Sequence, residues 1–313
     1  MTKPLLSVVL PTLNEHENIV AMYDALKAAV NEQAVAYEFI FVDDNSEDGT
    51  IELIEKLHER DPCVKYIVMS RRYGDQACLM AGLRACTGDV IVTMDADLQH
   101  PPEYIGAMLA KWREGYDVVA MRRKTAGHES WFKKWSELFF YGAVTKLSNA
   151  PIVPRFAGYA LLDRKVVNAL AQFEERDPFL RGLIASVGFK RTEVFYTEEP
   201  RPAGHSKFSS GRLLRLGLTG VTSFSTVPLY FACWAGMAAV IGSVLGALAV
   251  TVATVLGVPI ATDFWVIVIG MAAFSGLQLC ATGVLGVYVG KLLREVRKRP
   301  SYIVARTGGF RGE

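Results

Sequence analysis

Between Leu216 and Thr262 the sequence holds no Asp, Glu, Lys, Arg or His, and between Phe264 and Gly290 it again holds none. A helix needs about 20 predominantly apolar residues to cross a bilayer, whereas helices of globular domains average about 11 to 12 residues. Two charge-free stretches back to back therefore constrain the fold more than any other feature. They predict a hairpin of two transmembrane helices, near 229–256 and 264–289, joined by the short segment from Gly257 to Asp263. Glycines recur along both, among them Gly236, Gly242, Gly276 and Gly283, which suits close helix packing and makes a homo-oligomer plausible on sequence grounds. Lys291, Arg294, Arg297, Lys298 and Arg299 follow the second stretch, while the connecting segment carries no base. By the positive-inside rule this places the chain in the cytoplasmic (inner) membrane as a multi-pass protein, with both termini and the N-terminal region cytoplasmic. The opening MTKPLLSVVLP has too short an apolar run for a signal-peptide core.

The rest of the chain has a different rhythm. Leu5 to Leu10, Phe39 to Val42, Val64 to Met69, Val90 to Met94 and Val118 to Met121 are short, mostly β-branched runs. Between them, Asn18 to Val30, Ile51 to Arg60, Gln76 to Ala85 and Pro102 to Trp112 carry apolar residues at helical spacing. Alternation of this kind predicts an α/β domain with a mostly parallel sheet covered by helices on both faces. Ligands of such sheets bind outside the carboxyl ends of the strands. The formal charge of +2 gives no reason to expect a nucleic-acid partner. Five cysteines, none in a C-x-x-C pair, argue against a disulfide framework or a zinc site.

The expected strand ends collect polar residues: Pro11-Thr12-Leu13-Asn14-Glu15, Asp43-Asp44-Asn45-Ser46, Ser70-Arg71-Arg72, Asp95-Ala96-Asp97 and Arg122-Arg123. A single Asp or Asn after a strand is ordinary turn chemistry, but paired acids are not required by it. Two carboxylates this close repel one another unless a cation lies between them. Oxygen donors alone, from Asp95 and Asp97 with Gln99 nearby and no neighbouring Cys, suit Mg2+ or Mn2+, ions that complete their shells with substrate phosphate and water.

The segments SVVLPTLNE, FVDDNSEDGT, SRRYGDQACLMAGL and MDADLQHPPE resemble the family 2 glycosyltransferases of GT-A fold. The tail LGVYVGKLLREVRKRPSYIV narrows the likeness to the polyisoprenyl-phosphate glycosyltransferases, which include bactoprenol glucosyltransferases and dolichol-phosphate mannose synthases. The resemblance implies inverting, metal-dependent transfer of a hexose from a nucleotide sugar, UDP-glucose first, to undecaprenyl or another polyisoprenyl phosphate. It implies that Pro11, Leu13 and Glu15 lie near the nucleotide and that Asp43 and Asp44 contact base and ribose. Asp95, Asp97 and Gln99 would hold the metal and through it the diphosphate, with Asp95, Asp97 and Arg122 as the catalytic set. Arg123, Arg201, Ser206 and Lys207 would receive the acceptor phosphate. His100, immediately before Pro101-Pro102, reads better as a hydrogen-bonding strut than as a base. One departure from the resemblance stands out: many members of the family carry an acidic-aromatic-Arg triplet where this chain has Gly158-Tyr159-Ala160.

The expected organisation is a GT-A domain over 1–208, an interfacial amphipathic segment over 209–228, the hairpin over 229–290 and a basic tail over 291–313. A second interfacial helix is expected around Trp131, Phe132, Trp135, Phe139 and Tyr141, so that membrane, lipid phosphate and nucleotide sugar are the expected partners. Two other readings compete. A processive polysaccharide synthase shares the D-x-D domain but is expected to carry a Q-x-x-R-W motif and more spans, which this sequence lacks, and a non-catalytic membrane assembly or flipping subunit is favoured only by the altered triplet.

Overall fold

A computed structural model describes residues 3–123, 156–173, 175, 180–197, 227–257 and 264–310. The chain divides into two compact units: Met1–Thr145, Ala150–Arg212 and Pro300–Glu313 form one, and Lys146–Asn149 with Leu213–Arg299 the other.

The first unit is an α/β layer structure on one eight-stranded sheet. The strands are β1 (Leu5–Thr12), β2 (Ala36–Asp43), β3 (Val64–Met69), β4 (Val90–Thr93), β5 (Val118–Arg123), β6 (Phe156–Asp163), β7 (Arg191–Tyr196) and β8 (Val304–Gly308), in the spatial order β7-β5-β6-β4-β1-β2-β3-β8. β1 runs parallel to β2 and β4, β2 to β3, and β5 to β7. β6 is antiparallel to both β4 and β5, so those two also point the same way. All five strands expected from sequence thus end on one edge of the sheet.

The helices α1 (Ile19–Asn31), α2 (Thr50–Arg60) and α4 (Ile105–Arg113) cover one face, and α3 (Asp75–Ala85), α5 (Arg164–Leu170) and α6 (Leu180–Ser186) cover the other. Strand periodicity divides the core between them. Leu6, Val8 and Leu10 of β1 meet Ile19, Met22 and Ile54 on the first face, whereas Val9 belongs to the second with Cys78, Leu79 and Leu83. The α3 helix lies so close to the sheet that a Cβ at Gly82 would come within 2.3 Å of a Val9 methyl carbon. A 3-10 turn, Pro102–Tyr104, leads into α4 where the sequence predicts a continuous helix, since Pro101 and Pro102 together disfavour a regular first turn.

Three strands were not anticipated. β6 inserts between β4 and β5, β7 extends the far edge, and β8 returns from the C-terminal region to pair antiparallel with β3. The sequence suggests only a basic tail there, yet Pro300–Glu313 belong to the first unit, and Tyr302 and Phe310 pack against its second core. Arg306 adds a 2.7 Å ion pair to Glu55 of α2.

In the second unit, α7 (Val227–Val255, 29 residues) and α8 (Phe264–Val296, 33 residues) form where the hairpin was expected. Large apolar side chains stand exposed along both, including Trp234, Leu248, Met271 and Leu279. Among the described residues, no helix is long and apolar enough to cross a membrane. That finding overturns the expected placement as a multi-pass protein of the inner membrane with cytoplasmic termini and catalytic domain. Of the two segments expected to lie at an interface, around 131–141 and 209–228, only Val227 and Pro228 are among the described residues, and they open α7.

At the amino ends of the strands sits a buried polar cluster. Glu38 of β2, 3% exposed, accepts the Ser7 hydroxyl at 2.5 Å, the Thr87 N–H at 2.6 Å and the Lys65 ammonium at 2.6 Å. Burial alone would raise the Glu38 carboxyl, but Lys65, Ser7 and Thr87 together outweigh it and hold the group below its ordinary range. Because the folded value lies below the unfolded one, the cluster contributes stability above about pH 4.3 and loses it as the pH falls through the folded value. Removing the cation leaves a buried unpaired carboxylate, so Lys65→Met should destabilise the domain by about 3–5 kcal/mol at neutral pH. Chemical denaturation followed by circular dichroism measures it, and the deficit relative to wild type should shrink on acidification.

Candidate active site at the strand ends

β1 and β2 end in register, with Thr12 opposite Asp43, and the loops beyond them are stapled together. Asp44 N–H donates to the Thr12 carbonyl at 2.9 Å, Asn14 N–H to Ser46 Oγ at 2.8 Å, and Glu47 N–H to Asn14 Oδ1 at 3.0 Å. Asn14 (φ 51°) and Asn45 (φ 59°) both adopt the left-handed conformation, which Asn tolerates better than other side chains. Glu15 donates its N–H to Thr50 Oγ1 at 2.9 Å and accepts the Asn18 amide at 2.7 Å, closing the entry to α1. Glu15, expected near a nucleotide, thus also helps Asn14 to hold the two loops in one shape. Pro11 ends β1 beside Thr12, and Leu13 follows, half-buried.

Asp43 is 1% exposed, and Ser46 binds it twice: its N–H reaches Oδ2 at 2.9 Å and its hydroxyl Oδ1 at 2.5 Å. Burial pushes the Asp43 carboxyl above the ordinary carboxylate range against both bonds, and the charges of Asp44 and Asp48 push the same way. Asp44 is buried as well. Its oxygens accept the Tyr73 N–H at 2.6 Å and the Gly74 N–H at 2.8 Å, so this carboxylate fixes the turn from β3 into α3. Gly74, at φ 96° and ψ 160°, occupies backbone territory open essentially to glycine alone. Ser70, Arg71 and Arg72 lie exposed on that turn, with Arg71 stacked over Tyr73 at 4.2 Å and Arg72 paired to Glu47 at 3.1 Å.

The Asp95–Gln99 loop follows β4. Asp95 projects outward with its side chain 52% exposed. Asp97 is 4% exposed and accepts the Gln99 N–H at 3.1 Å in a local Asx turn. The sequence suggests two equivalent carboxylates facing one cation, but the structure makes them unequal, one at the surface and one within the loop. Leu98 closes the turn at φ 62°, a conformation that costs a side chain of this kind about 1–2 kcal/mol. Among the described residues, no group of three or more His, Cys, Asp or Glu side chains is assembled as a metal cage. The donor set nonetheless fits a hard divalent ion of the Mg2+ type, which takes one or two carboxylates and fills its remaining positions with phosphate and water.

β5 and β6 complete the edge. The Arg122 guanidinium donates to Glu193 of β7 at 2.9 Å and lies over the Phe195 ring, while Arg123 ends β5 exposed. Arg122 is therefore engaged laterally along the sheet. Arg201, Ser206 and Lys207 lie outside the described residues. Gly158-Tyr159-Ala160 runs beside the end of β4: Ala160 pairs with Thr93, whose hydroxyl donates to the Gly158 carbonyl at 2.8 Å. A Cβ at Gly158 would meet nothing within 4 Å, so an acidic side chain there is not excluded by space.

Sequence reasoning missed Thr12, whose hydroxyl is buried without a hydrogen-bond partner in the register position facing Asp43, and Ser46, the principal ligand of Asp43. Their presence inside PTLNE and DDNSEDGT was the available signal.

Comparison with known proteins adds to this geometry. The family profile Glycosyl transferase family 2 matches residues 7–171. The chain is 37% identical, across 97% of its length and 94% of the relative's, to a Bacillus subtilis protein named uncharacterized glycosyltransferase YkcC. It is 32% identical to the prophage bactoprenol glucosyl transferase homolog of Escherichia coli, over 96% of this chain and 98% of that one. Among solved structures, mannosyl-3-phosphoglycerate synthase from Rubrobacter xylanophilus superposes with a TM-score of 0.49 at 17% identity, covering 70% of this chain and 73% of that chain.

The raised carboxyl of Asp43 carries a stability consequence. Its folded value lies above the unfolded one, near 3.9, so the ionised side chain costs stability at neutral pH. That cost shrinks as the pH falls through the folded value and vanishes below the unfolded one. Asp43→Asn, which keeps shape and an acceptor for Ser46, should raise the unfolding midpoint at pH 7 by roughly 2–4 °C, the shift that about 1 kcal/mol makes in a domain of this size. Calorimetric scans should show the gain disappearing below about pH 3.9.

Proposed function

The chain belongs to glycosyl transferase family 2 and has a GT-A-like α/β fold with a mostly parallel sheet, and from that premise we propose that it transfers glucose from UDP-glucose to a polyisoprenyl phosphate, with inversion at the sugar carbon. The observation that carries this reading is the extent of the likeness to proteins named bactoprenol glucosyl transferase. It spans 96% of this chain and 98% of those from Shigella flexneri and its phage SfII, and so includes the residues beyond the family domain.

On this reading the two sides of the strand edge do different work. The β1–β2 side, with Pro11, Leu13, Glu15, Asp43 and Asp44, receives the nucleoside, and its stapled loops keep that surface shaped before the donor arrives. Both acids are held in place from within the protein, Asp43 through Ser46 and Asp44 through the turn into α3. Asp95, with Asp97 and Gln99 behind it, would hold Mg2+ or Mn2+ against the diphosphate, and that ion would stabilise the charge that grows as the sugar–oxygen bond breaks. Asp95 is the arm that reaches solvent, whereas Asp97 shapes the loop through Gln99. Arg123, Arg201, Ser206 and Lys207 would receive the acceptor phosphate. Arg122, bound to Glu193, orders the β5 end rather than joining the reacting groups. A phosphomonoester has a second pKa near 6 and is already mostly dianionic at neutral pH. Its oxygen can attack without a strong protein base, which agrees with Gly158 and Ala160 standing where the resemblance implies an acid and an Arg.

The decisive assay supplies the purified full chain with radiolabelled UDP-glucose, undecaprenyl phosphate and Mn2+. Label should move into an organic-extractable lipid that mild acid hydrolyses. Label in insoluble glycan would instead mark a polymerising enzyme, and absence of label with every UDP- and GDP-sugar tried would end the reading. In the same assay, Asp95→Ala should cost at least about 10²-fold in rate while leaving the unfolding midpoint near that of wild type, because its side chain is half exposed.

A further inference from the structure

The loop between β4 and the 3-10 turn is held by a hydrogen bond to His100, the strut that the sequence suggests. The main-chain N–H of Asp95 donates to His100 Nδ1 at 3.0 Å. An acceptor Nδ1 carries the lone pair, so the ring proton of the neutral imidazole resides on Nε2. The same Nδ1 lies 3.7 Å from Asp95 Oδ2. With a lone pair facing it, the carboxylate gains no hydrogen bond from Nδ1, and its side chain is half exposed.

His100 is itself tightly held. The ring is 5% exposed and stacks on Tyr159 with centroids 5.0 Å apart and planes 19° from parallel, while Tyr196 closes on it edge-on at 6.0 Å. The Tyr159 hydroxyl reaches past the ring to donate to the Pro101 carbonyl at 2.7 Å. Tyr159 is fully buried on β6, beside Ala160, which pairs with the last residue of β4. One aromatic side chain on the neighbouring strand thus grips both the ring and the main chain at the far end of the loop, and the ring grips the amide of Asp95 at the near end.

From this connected path we propose that His100 is a positioning residue for Asp95 and that Tyr159 positions His100, so that the outward aim of the Asp95 carboxylate is set from β6. The proposal rests on the reading of Asp95 as a donor-side metal and diphosphate ligand. It assigns His100 no proton transfer. A partner that orients a ligating group typically accounts for 10- to 100-fold in metal affinity, and a turn closed by a left-handed Leu98 has little reason to keep its shape once that partner is lost.

Two substitutions at His100 separate aim from packing. His100→Phe keeps a ring to stack on Tyr159 but offers Asp95 N–H no acceptor. His100→Asn gives up the stack but places an amide oxygen close to where Nδ1 stood. The measurement is calorimetric titration of Mn2+ in the presence of saturating UDP, on the full chain, with thermal unfolding alongside. His100→Phe should weaken Mn2+ binding by about 10- to 100-fold with an unfolding midpoint near wild type. His100→Asn should bind Mn2+ within a few fold of wild type despite a lower midpoint. Tyr159→Phe, which removes only the hydroxyl bound to Pro101, should weaken binding by a smaller factor and raise the KM for UDP-glucose more than it lowers kcat. Loss of affinity that follows the midpoint in both His100 variants would reduce the residue to packing and overturn the proposal. Wild-type affinity in His100→Phe, in a protein whose Asp95→Ala variant no longer binds Mn2+, would overturn it while leaving the metal reading intact. Indifference of Mn2+ binding to Asp95→Ala would remove both.

Discussion

Parallel pairing of β1 with β2 on one side and β4 on the other is the constraint from which the site follows. Parallel neighbours cannot be joined by a tight turn, so each strand must exit at the same edge and return through a helix. Every exit therefore deposits its loop on that edge. The register then determines which loops touch: Thr12 stands opposite Asp43, and Val9 opposite Thr93, one residue short of Met94 and two short of Asp95. No side chain in the candidate site needs to be brought there by a special fold. The residues need only be the right ones at the ends of three adjacent strands.

The two ends of this sheet treat buried charge in opposite ways. At the amino end, Glu38 is neutralised by Lys65 and supplied with donors by Ser7 and Thr87, which holds its carboxyl low. At the carboxyl end, Asp43 and Asp44 are held by Ser46, Tyr73 and Gly74, all neutral donors, and burial raises Asp43. A chain selected for stability alone would have treated both ends like the first. Accumulating Asp43, Asp44, Asp95 and Asp97 around one edge costs folding free energy that a cationic ligand would return, the common trade between stability and function at a binding site. The same arrangement explains why Mg2+ or Mn2+ is the expected companion of the donor: without it, an anionic diphosphate would be asked to approach an acidic rim.

Much of the fold was legible because its signals were local. β1 to β5 are apolar, largely β-branched runs, and α1, α2 and α4 carry their core residues at helical spacing, so the pattern alone gives these elements and their sense. β7 and β8 escaped because their residues alternate weakly and stand largely exposed; RTEVFY and VARTG become strands through pairing with β5 and β3 rather than through propensity. β6 follows a long stretch that offers no comparable rhythm, and its antiparallel entry between β4 and β5 depends wholly on tertiary context. The two long helices were legible in position, though not in the membrane placement drawn from them. At the site, residue identity showed where acids gather but not which donors they meet. Asp44 could not be recognised from sequence as the clamp on the Tyr73–Gly74 turn, nor Arg122 as the partner of Glu193, because both partners are distant in the chain.

The altered triplet becomes intelligible when its three positions are separated by the strand that carries them. Side chains of β6 alternate between the two faces, so Tyr159 shares the face of Met94 and Ala96 while Ala160 turns to the other. Only the aromatic position therefore lies under the Asp95–His100 loop, and it is the one that matches the triplet the resemblance implies. Gly158 faces open space and Ala160 sits beside Thr93, and among the described residues no buried side-chain polar atom is left without a partner there. Loss of an acid at 158 removes a potential base, and a phosphate acceptor that is already ionised does not require one. Loss of the ring at 159 would instead release the stack beneath His100 and the bond to Pro101, disturbing the aim of Asp95 itself. Of the three positions, the one that supports the loop's geometry is kept, and the two whose contribution would be chemical are the two this chain does without.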